Sequence, residues 1–342
     1  MKGNDVKRLF DSVLVTGGAG YCGSVLVPDL LDAGYKVTVF DILYYGADHL
    51  PADNPNLTVV NGDIRDTDTL AKHLPGIDAV VNLACISNDA SFELDEALST
   101  TVNMDAFEPM VIAAKKAGVK RFIYASSSSV YGVSDQPDVT EDHPLVPLTL
   151  YNKYKGQCEP QLFSHTDESF TGVVFRPATV CGYGPRQRLD VSVNILTNHA
   201  INKGKITVFG GNQLRPNLHI QDYSDVVQLL LAAPTEKISN KIYNVGYQNK
   251  SIMDIAQIVK SVVEEIYPEQ GELPIEVTES DDPRSYHINS DKIARELGFV
   301  PKHTIEEAVR GLCEAFKDGR LPDSFDDDKY FNVRTMKRIG AK

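Results

Sequence analysis

Short apolar runs rich in β-branched residues recur along the first half of the chain. They are SVLVTG (12–17), KVTVFD (36–41), LTVVNGD (57–63), IDAVVNLA (77–84), RFIYASS (121–127) and GVVFRP (172–177). Unbroken apolar runs of this length predict strands buried on both faces, as in a parallel sheet. Between most of them lie stretches suited to crossover helices, for example 93–117. Strand–helix alternation of this kind predicts an α/β fold, a doubly wound parallel sheet with right-handed crossovers. Ligands of such sheets gather at the carboxyl ends of the strands.

After about residue 180 the rhythm changes. YGPRQRLD, VFGGNQLRPN and ESDDPRSYH are loop-rich, and helices are predicted at 190–203, 222–233, 251–266, 291–297 and 304–317. KIYNVG (241–246) reads as one more strand rejoining the main sheet. The expected organisation is a nucleotide-binding sheet domain over 1–180, rejoined by about 215–250, and a smaller lobe from 181–214 and 251–322. Residues 323–331, DSFDDDKYF, open a terminal stretch (323–342) expected to be a solvated or loosely docked acidic tail. Pro28 and Pro109 fall inside predicted helices and are expected to kink or interrupt them.

The composition narrows the partners. The chain has 342 residues, 42% hydrophobic and 24% charged, which is material for one large domain or two coupled ones. Its net charge of −13 repels a phosphate backbone, so no nucleic-acid partner is expected. Nucleotide phosphates remain possible, because backbone N–H groups and a few arginines can hold them locally. Five cysteines (Cys22, Cys85, Cys158, Cys181 and Cys313) without a CxxC pair suggest a reduced, cytoplasmic chain. The eight histidines show no metal-ligand spacing, so no metal is expected. No apolar run reaches the roughly 18 residues of a membrane span, and the N-terminus lacks the apolar core of a signal peptide. No membrane association is expected.

VTGGAGYCGS follows the first strand and opens the first helix. Gly17, Gly20 and Gly23 fit GxxGxxG, and Gly18, Gly20 and Gly23 fit GxGxxG. In a strand–turn–helix context such glycines make a Rossmann-type dinucleotide turn: they let the backbone approach a pyrophosphate at a helix N-terminus. Asp41 ends the second strand, 21 residues beyond Gly20. A carboxylate there accepts hydrogen bonds from a ribose 2′-hydroxyl and repels a 2′-phosphate, and no Arg or Lys follows in 42–50. The expected cofactor is NAD. Asp63, in NGDIRD, sits at the next strand end and is a candidate for the adenine amino group.

YNKYK (151–155) contains one Tyr–Lys pair four residues apart, Tyr151 and Lys155. On a helix the two share one face. The pair is open to two readings, a solvated helix surface or a proton-transfer site. A free phenol has a pKa near ~10 and is a poor base at neutral pH, but a cation within ~4–6 Å lowers it by roughly 1–3 units. Lys155 is expected to supply that cation. RPATVCGYGPRQRLDVSVN is unusually basic for so acidic a chain; Arg186 and Arg188 either clamp phosphates or pair with surface carboxylates.

Taken in order, TGGAGYCG, Asp41, GDIRD, NLA (82–84), Asn103, SSSSVYG (126–132), YNKYK, FRPATVCGYGPRQ (175–187), RPNLHIQD (215–222) and YNVG (243–246) make the chain resemble the extended short-chain dehydrogenase/reductases, in the branch that modifies nucleotide sugars. The likeness runs over about residues 12–315. It implies a Ser–Tyr–Lys catalytic set: Ser127 (with Ser126 and Ser128 as neighbours), Tyr151 and Lys155. It also implies cofactor contacts at Gly17, Gly20, Tyr21, Cys22, Gly23, Asp41, Asp63, Ile64, Leu83, Ala84, Asn103, Tyr151, Lys155 and Pro177. Substrate contacts are implied at Ser128, Thr179, Asn194, Arg215, Arg284 and Tyr286, and the expected partner is a nucleotide-diphosphate sugar. Thr179 departs from the Asn that many relatives carry, and Pro160 lies in the helix after the Tyr–Lys pair. A homodimer through paired helices is implied as well.

The expected reaction is transient or net oxidation of the sugar at C4 by NAD, leading to an epimer. A C4 dehydrogenase or reductase is the close alternative. The 4,6-dehydratases carry Asp-Glu after the active hydroxyl, where this chain has Ser128 and Ser129, so dehydration is disfavoured. Asp89 and Glu93 either face the sugar or belong to a surface loop. A non-catalytic dinucleotide sensor would not need the Ser–Tyr–Lys set. A steroid-type dehydrogenase would need an apolar lobe rather than Arg186, Arg188, Arg215 and Arg284, which suit an anionic diphosphate.

Overall fold

Each of the six apolar runs of the first half becomes a strand of one parallel sheet. The strands are β1 (Ser12–Thr16), β2 (Lys36–Asp41), β3 (Leu57–Asn61), β4 (Ala79–Asn82), β5 (Arg121–Ala125) and β6 (Thr171–Pro177). The computed structural model describes residues 8–134, 136, 138–279 and 285–341. Later in the chain come β7 (Thr179–Cys181), β8 (Ile206–Phe209), β9 (Leu214–His219), β10 (Lys241–Val245), β11 (Gln248–Ser251) and β12 (Ile275–Thr278). The main sheet has seven strands in the order β10-β6-β5-β4-β1-β2-β3, so KIYNV rejoins it at the edge beside β6 as expected. The winding reverses between β1 and β4, the crevice in which open α/β sheets bind ligands.

Period-two alternation splits the strand residues between two apolar layers. Val13, Val15, Val39, Val81 and Ile123 pack on one face against Leu26, Leu30, Val226 and Val227, from helices Gly23–Asp32 and Ile220–Ala232. Leu14, Phe40, Val80, Phe122 and Val174 pack on the other against Met110, Val111, Cys158 and Leu162, from helices Phe107–Lys116 and Leu150–Ser164. The second lobe has its own core, in which Val193, Leu196, Val208, Ile255, Val259, Val309 and Cys313 meet. Two of its helices start where their sequences announce it. Ser251 with Asp254 and Thr304 with Glu307 form capping boxes. No helix of the described residues is long and apolar enough to cross a membrane.

Three local expectations are corrected. The stretch 93–117 is not one helix: it runs as Glu96–Thr100, a π-helical turn Thr101–Asp105, and Phe107–Lys116. Pro109 falls in the first turn of the last piece, where its missing N–H is least costly. Helix Gly23–Asp32 continues through Pro28 without a break, held by Leu26, Val27, Leu30 and Leu31, all buried. The stretch after residue 322 is not a solvated tail. Leu321, Tyr330 and Phe331 pack with Leu189 and Leu312, and a last helix, Asn332–Ile339, buries Met336 with Ile86 and Leu98. Aromatic residues spaced among the aspartates dock the segment.

Candidate active site

A cavity of about 950 Å³ opens at the carboxyl ends of the strands, at the upper end of the ~300–1,000 Å³ typical of ligand pockets. Its floor is the glycine turn. Gly17 has φ +71° and lies so close to the β4 end that a Cβ would stand 2.6 Å from Ala84 N. A Cβ on Gly20 would meet only Gly17 O, at 3.2 Å, so its open side faces the cavity. Asp41 closes the far side of the turn. Its carboxylate accepts from Ala19 N at 2.9 Å and Leu43 N at 2.8 Å, and burial pushes its pKa up against those bonds. Tyr21, Cys22, Gly23, Asp63, Ile64, Leu83, Ala84 and Pro177 also line the cavity. Asp63 is shared, because Arg65 Nε donates to it at 3.0 Å from two residues away.

Ser127, Tyr151 and Lys155 converge on the same cavity. β5 delivers the serines, and the structure separates them. Ser126 turns into the core and donates to Glu159 Oε1 at 2.6 Å. Ser127 faces the cavity, its Oγ 2.7 Å from Ser129 Oγ, and Ser128 lines the wall beside it. Tyr151 and Lys155 sit one turn apart on helix Leu150–Ser164, whose N-cap Thr149 accepts from Asn152 N. Lys153 faces solvent while Lys155 is 5% exposed and Tyr151 is half-buried, so the 151/155 face of the helix turns towards the cavity. Lys155 Nζ donates to Ala125 O at 2.8 Å.

The electrostatics of Tyr151 differ from the expectation. Burial pushes its phenol well above the ordinary range, the neighbouring Cys85 and Asp89 push the same way, and Arg188 pulls it down. The predicted lowering by Lys155 is therefore not the dominant effect in this chain. Taking the phenolate out of water outweighs it.

Two expected contacts do not line the cavity. Asn103 clamps the loop after β4 instead, accepting from Ile86 N at 2.8 Å and donating to Ile86 O at 2.9 Å. Asn194 is fully buried and ties the turn after β7 together, accepting from Gly182 N at 3.0 Å and donating to Tyr21 Oη at 3.1 Å. Asn103 lines a small adjoining cavity together with Ala84 and Lys155. Thr179, Arg215 and Tyr286 do line the cavity, with the Arg215 guanidinium 5.5 Å from the Tyr286 ring centre. Arg284 lies outside the described residues.

Sequence reasoning left Asp89, Glu93, Arg186 and Arg188 with two readings each, and all four line the cavity. It missed Asp190, Asn332, Val333 and Met336, which also line it. The signal for the last three was present: NVRTMKRI has apolar residues at helical spacing behind an aromatic anchor. The residues present fit a dinucleotide. The turn leaves its open side at Gly20, a carboxylate ends β2, and the buried guanidinium nitrogens Arg186 Nε and Arg188 Nη2 find no partner among the described residues.

A family model described as the NAD dependent epimerase/dehydratase family matches residues 13–246. A UDP-glucose 4-epimerase of Lactobacillus helveticus is 28% identical over 317 residues, covering 85% of this chain and 92% of that protein. A dTDP-D-glucose 4,6-dehydratase of Mus musculus is 30% identical over 321 residues, covering 89% and 88%. The crystal structure of DesIV, a dTDP-glucose 4,6-dehydratase from Streptomyces venezuelae with NAD and TYD bound, superposes with a TM-score of 0.78 at 26% identity, over 90% of this chain and 98% of that one.

Proposed function

The chain belongs to the NAD dependent epimerase/dehydratase family, and from that premise we propose that it is a nucleotide-sugar epimerase acting at C4. The observation that carries this reading is the convergence of Ser127, Tyr151 and Lys155 on the cavity that the glycine turn floors, with hydroxyls alone at 128 and 129. NAD, when bound, supplies a reversible hydride acceptor for the sugar carbon.

The chain's own groups handle the proton and the alignment. Tyr151 takes the proton of the C4 hydroxyl and returns it, and Ser127 hydrogen-bonds the same oxygen and fixes its direction. Lys155 has spent one of its three donors on Ala125 O, which leaves two for a ribose hydroxyl and for the phenol. Gly17, Gly20, Tyr21, Cys22, Gly23, Asp41, Asp63, Ile64, Leu83, Ala84 and Pro177 are assigned to the cofactor. Ser128, Thr179, Arg215 and Tyr286 are assigned to the substrate, whose diphosphate suits Arg215. In this reading the lobe of 181–214 and 251–322 holds the sugar nucleotide, and the enzyme works as a cytoplasmic homodimer.

One observation favours a second outcome. Asp89 and Glu93 line the cavity, and Asp89 acts on Tyr151. A carboxyl there could serve carbons next to C4, as dehydration requires. The test is a panel of UDP-, dTDP- and GDP-sugars incubated with enzyme and NAD and read by mass spectrometry and NMR. An epimer of unchanged mass is expected. Loss of water would replace epimerisation with dehydration, and net loss of two hydrogens would make the enzyme a dehydrogenase. Tyr151→Phe should slow the conversion by about 10²–10⁴-fold. Undiminished turnover in that variant would refute the assignment.

A further inference from the structure

We propose that Arg186, with Arg188 beside it and the C-terminal helix behind it, forms a cationic clamp that closes on the diphosphate of the bound dinucleotide from the side opposite the glycine turn. The inference rests on the NAD reading above and extends it to residues outside the glycine turn.

Arg186 is an unusual cation. It is only 6% exposed, yet it has no carboxylate within ion-pair distance among the described residues. Its guanidinium stacks on the Tyr45 ring, 3.6 Å from the ring centre, and Nη2 donates to Asn332 Oδ1 at 2.6 Å. Nε is buried without a partner. A desolvated guanidinium with an idle donor is costly unless an anion completes it. Burial, reinforced by the positive charge of Arg188, already pulls its pKa down to about 10. Arg188 is half-satisfied: Nε donates to Asp190 at 2.8 Å, while Nη2 is buried and unpartnered. Both side chains line the cavity, and each keeps one buried N–H without a partner among the described residues.

Position selects the anion. Tyr45, under Arg186, lies four residues past Asp41, on the ribose side of the turn. The charge of Arg186 is felt at Asp41 and at Cys22, and that of Arg188 at Tyr21 and Cys22. Those residues belong to the glycine turn and the start of its helix, where a dinucleotide's phosphates rest. Arg215, on β9 against Tyr286, marks a separate cationic point for a second ligand.

The terminal segment holds the clamp in place. Asn332 accepts from Arg186, donates through Nδ2 to Ser87 Oγ at 2.9 Å, and donates through its backbone N–H to Asp190 at 3.0 Å. One residue thereby ties the loop that carries both arginines and the loop after β4 to the last helix. The consequence is that cofactor retention depends on the last twenty or so residues, which lie beyond the matched family region ending at 246.

The test measures binding of NAD, ADP, inorganic pyrophosphate and adenosine to the full chain by calorimetry, with Arg186→Met and Asn332→Ala as variants. Arg186→Met should weaken NAD, ADP and pyrophosphate by about 10- to 100-fold, with adenosine unchanged. Its melting temperature without ligand should hold or rise, because an unpaired buried charge is gone. Asn332→Ala should weaken the same three ligands less and speed NAD release. Unchanged pyrophosphate and NAD affinity in Arg186→Met would overturn the proposal, as would an equal loss of adenosine. A wild-type chain that takes pyrophosphate through Arg186 but no NAD would overturn the cofactor reading while leaving the anion site.

Discussion

The glycine turn makes two demands that a pair of alanine substitutions can separate. At Gly17 the backbone has φ +71°, and an added Cβ would stand 2.6 Å from Ala84 N, 2.7 Å from Ala84 Cα and 2.9 Å from Leu83 C. The left-handed conformation alone costs an L-residue about 1–2 kcal/mol. The neighbours are backbone atoms, which cannot rotate away, and overpacking of this kind adds about 1–3 kcal/mol. Gly17→Ala should therefore lose about 2–5 kcal/mol and pry β1 from the β4 end. At Gly20 a Cβ meets only Gly17 O, at 3.2 Å, with no strained φ. Gly20→Ala should fold with stability within about 1 kcal/mol of wild type, yet its methyl group occupies the space a pyrophosphate needs. The assay is urea denaturation of both variants followed by NAD titration. Gly17→Ala should lose stability and binding together, and Gly20→Ala binding alone. Equal destabilisation by the two, or wild-type NAD affinity in Gly20→Ala, would refute the division of labour.

Two further outcomes follow from groups away from the turn. Glu159 and Arg176 are each 2% exposed and joined in a two-pronged pair, with Ser126 and Tyr131 bonded to the same cluster. Glu159→Gln leaves a buried guanidinium without its counter-charge and should cost about 3–5 kcal/mol in urea denaturation; a loss under about 1 kcal/mol would show the pair is not needed behind the serine strand. His219 accepts from Gln221 N through Nδ1, and burial, with the nearby His303, pushes its pKa from 6.5 to about 4. Between those two pH values the unfolded chain binds a proton that the folded chain refuses, so stability falls as pH drops from 6.5 towards 4. Thermal melts across that window should show a shallower slope in His219→Gln than in wild type, and an identical slope would remove His219 from the account.

What could be read beforehand was what repeats locally. β1 to β6 and β10 announce themselves as short β-branched runs, and the helices starting at Ser192, Ile252, Asp291 and Ile305 begin within two residues of their expected positions. Gly17 and Asp41 follow from the same local grammar. The failures are tertiary. The break of 93–117 at Thr101–Asp105 depends on how the segment packs against helix Leu150–Ser164 and is invisible in periodicity. The partners that Asn103 and Asn194 find, Ile86 for the one and Gly182 and Tyr21 for the other, are likewise set by neighbours that periodicity does not reveal. The acidic run after Asp323 looks solvated because its charges are adjacent; Tyr330, Phe331 and Met336 outweigh them once Leu189, Ile86 and Leu98 are near.

The acidity of Tyr151 shows why those distant neighbours matter for chemistry. Local spacing assigns the task of lowering it to Lys155, one turn away, but that ammonium is anchored on Ala125 O. Asp89 works the other way. It accepts from Thr149, the N-cap of the tyrosine's own helix, at 2.6 Å, so the same carboxylate that fixes the start of that helix adds to the upward push that burial gives the phenol. The cation that opposes Asp89 is Arg188, which comes from the loop after β7 and is held through Asp190 by the backbone of Asn332. With burial dominant, only further positive charge near the ring would bring this phenol back towards its ordinary range. These neighbours come from the loop after β4, the loop after β7 and, through Asn332, the last helix, so the setting of Tyr151 cannot be read from the Tyr–Lys spacing alone.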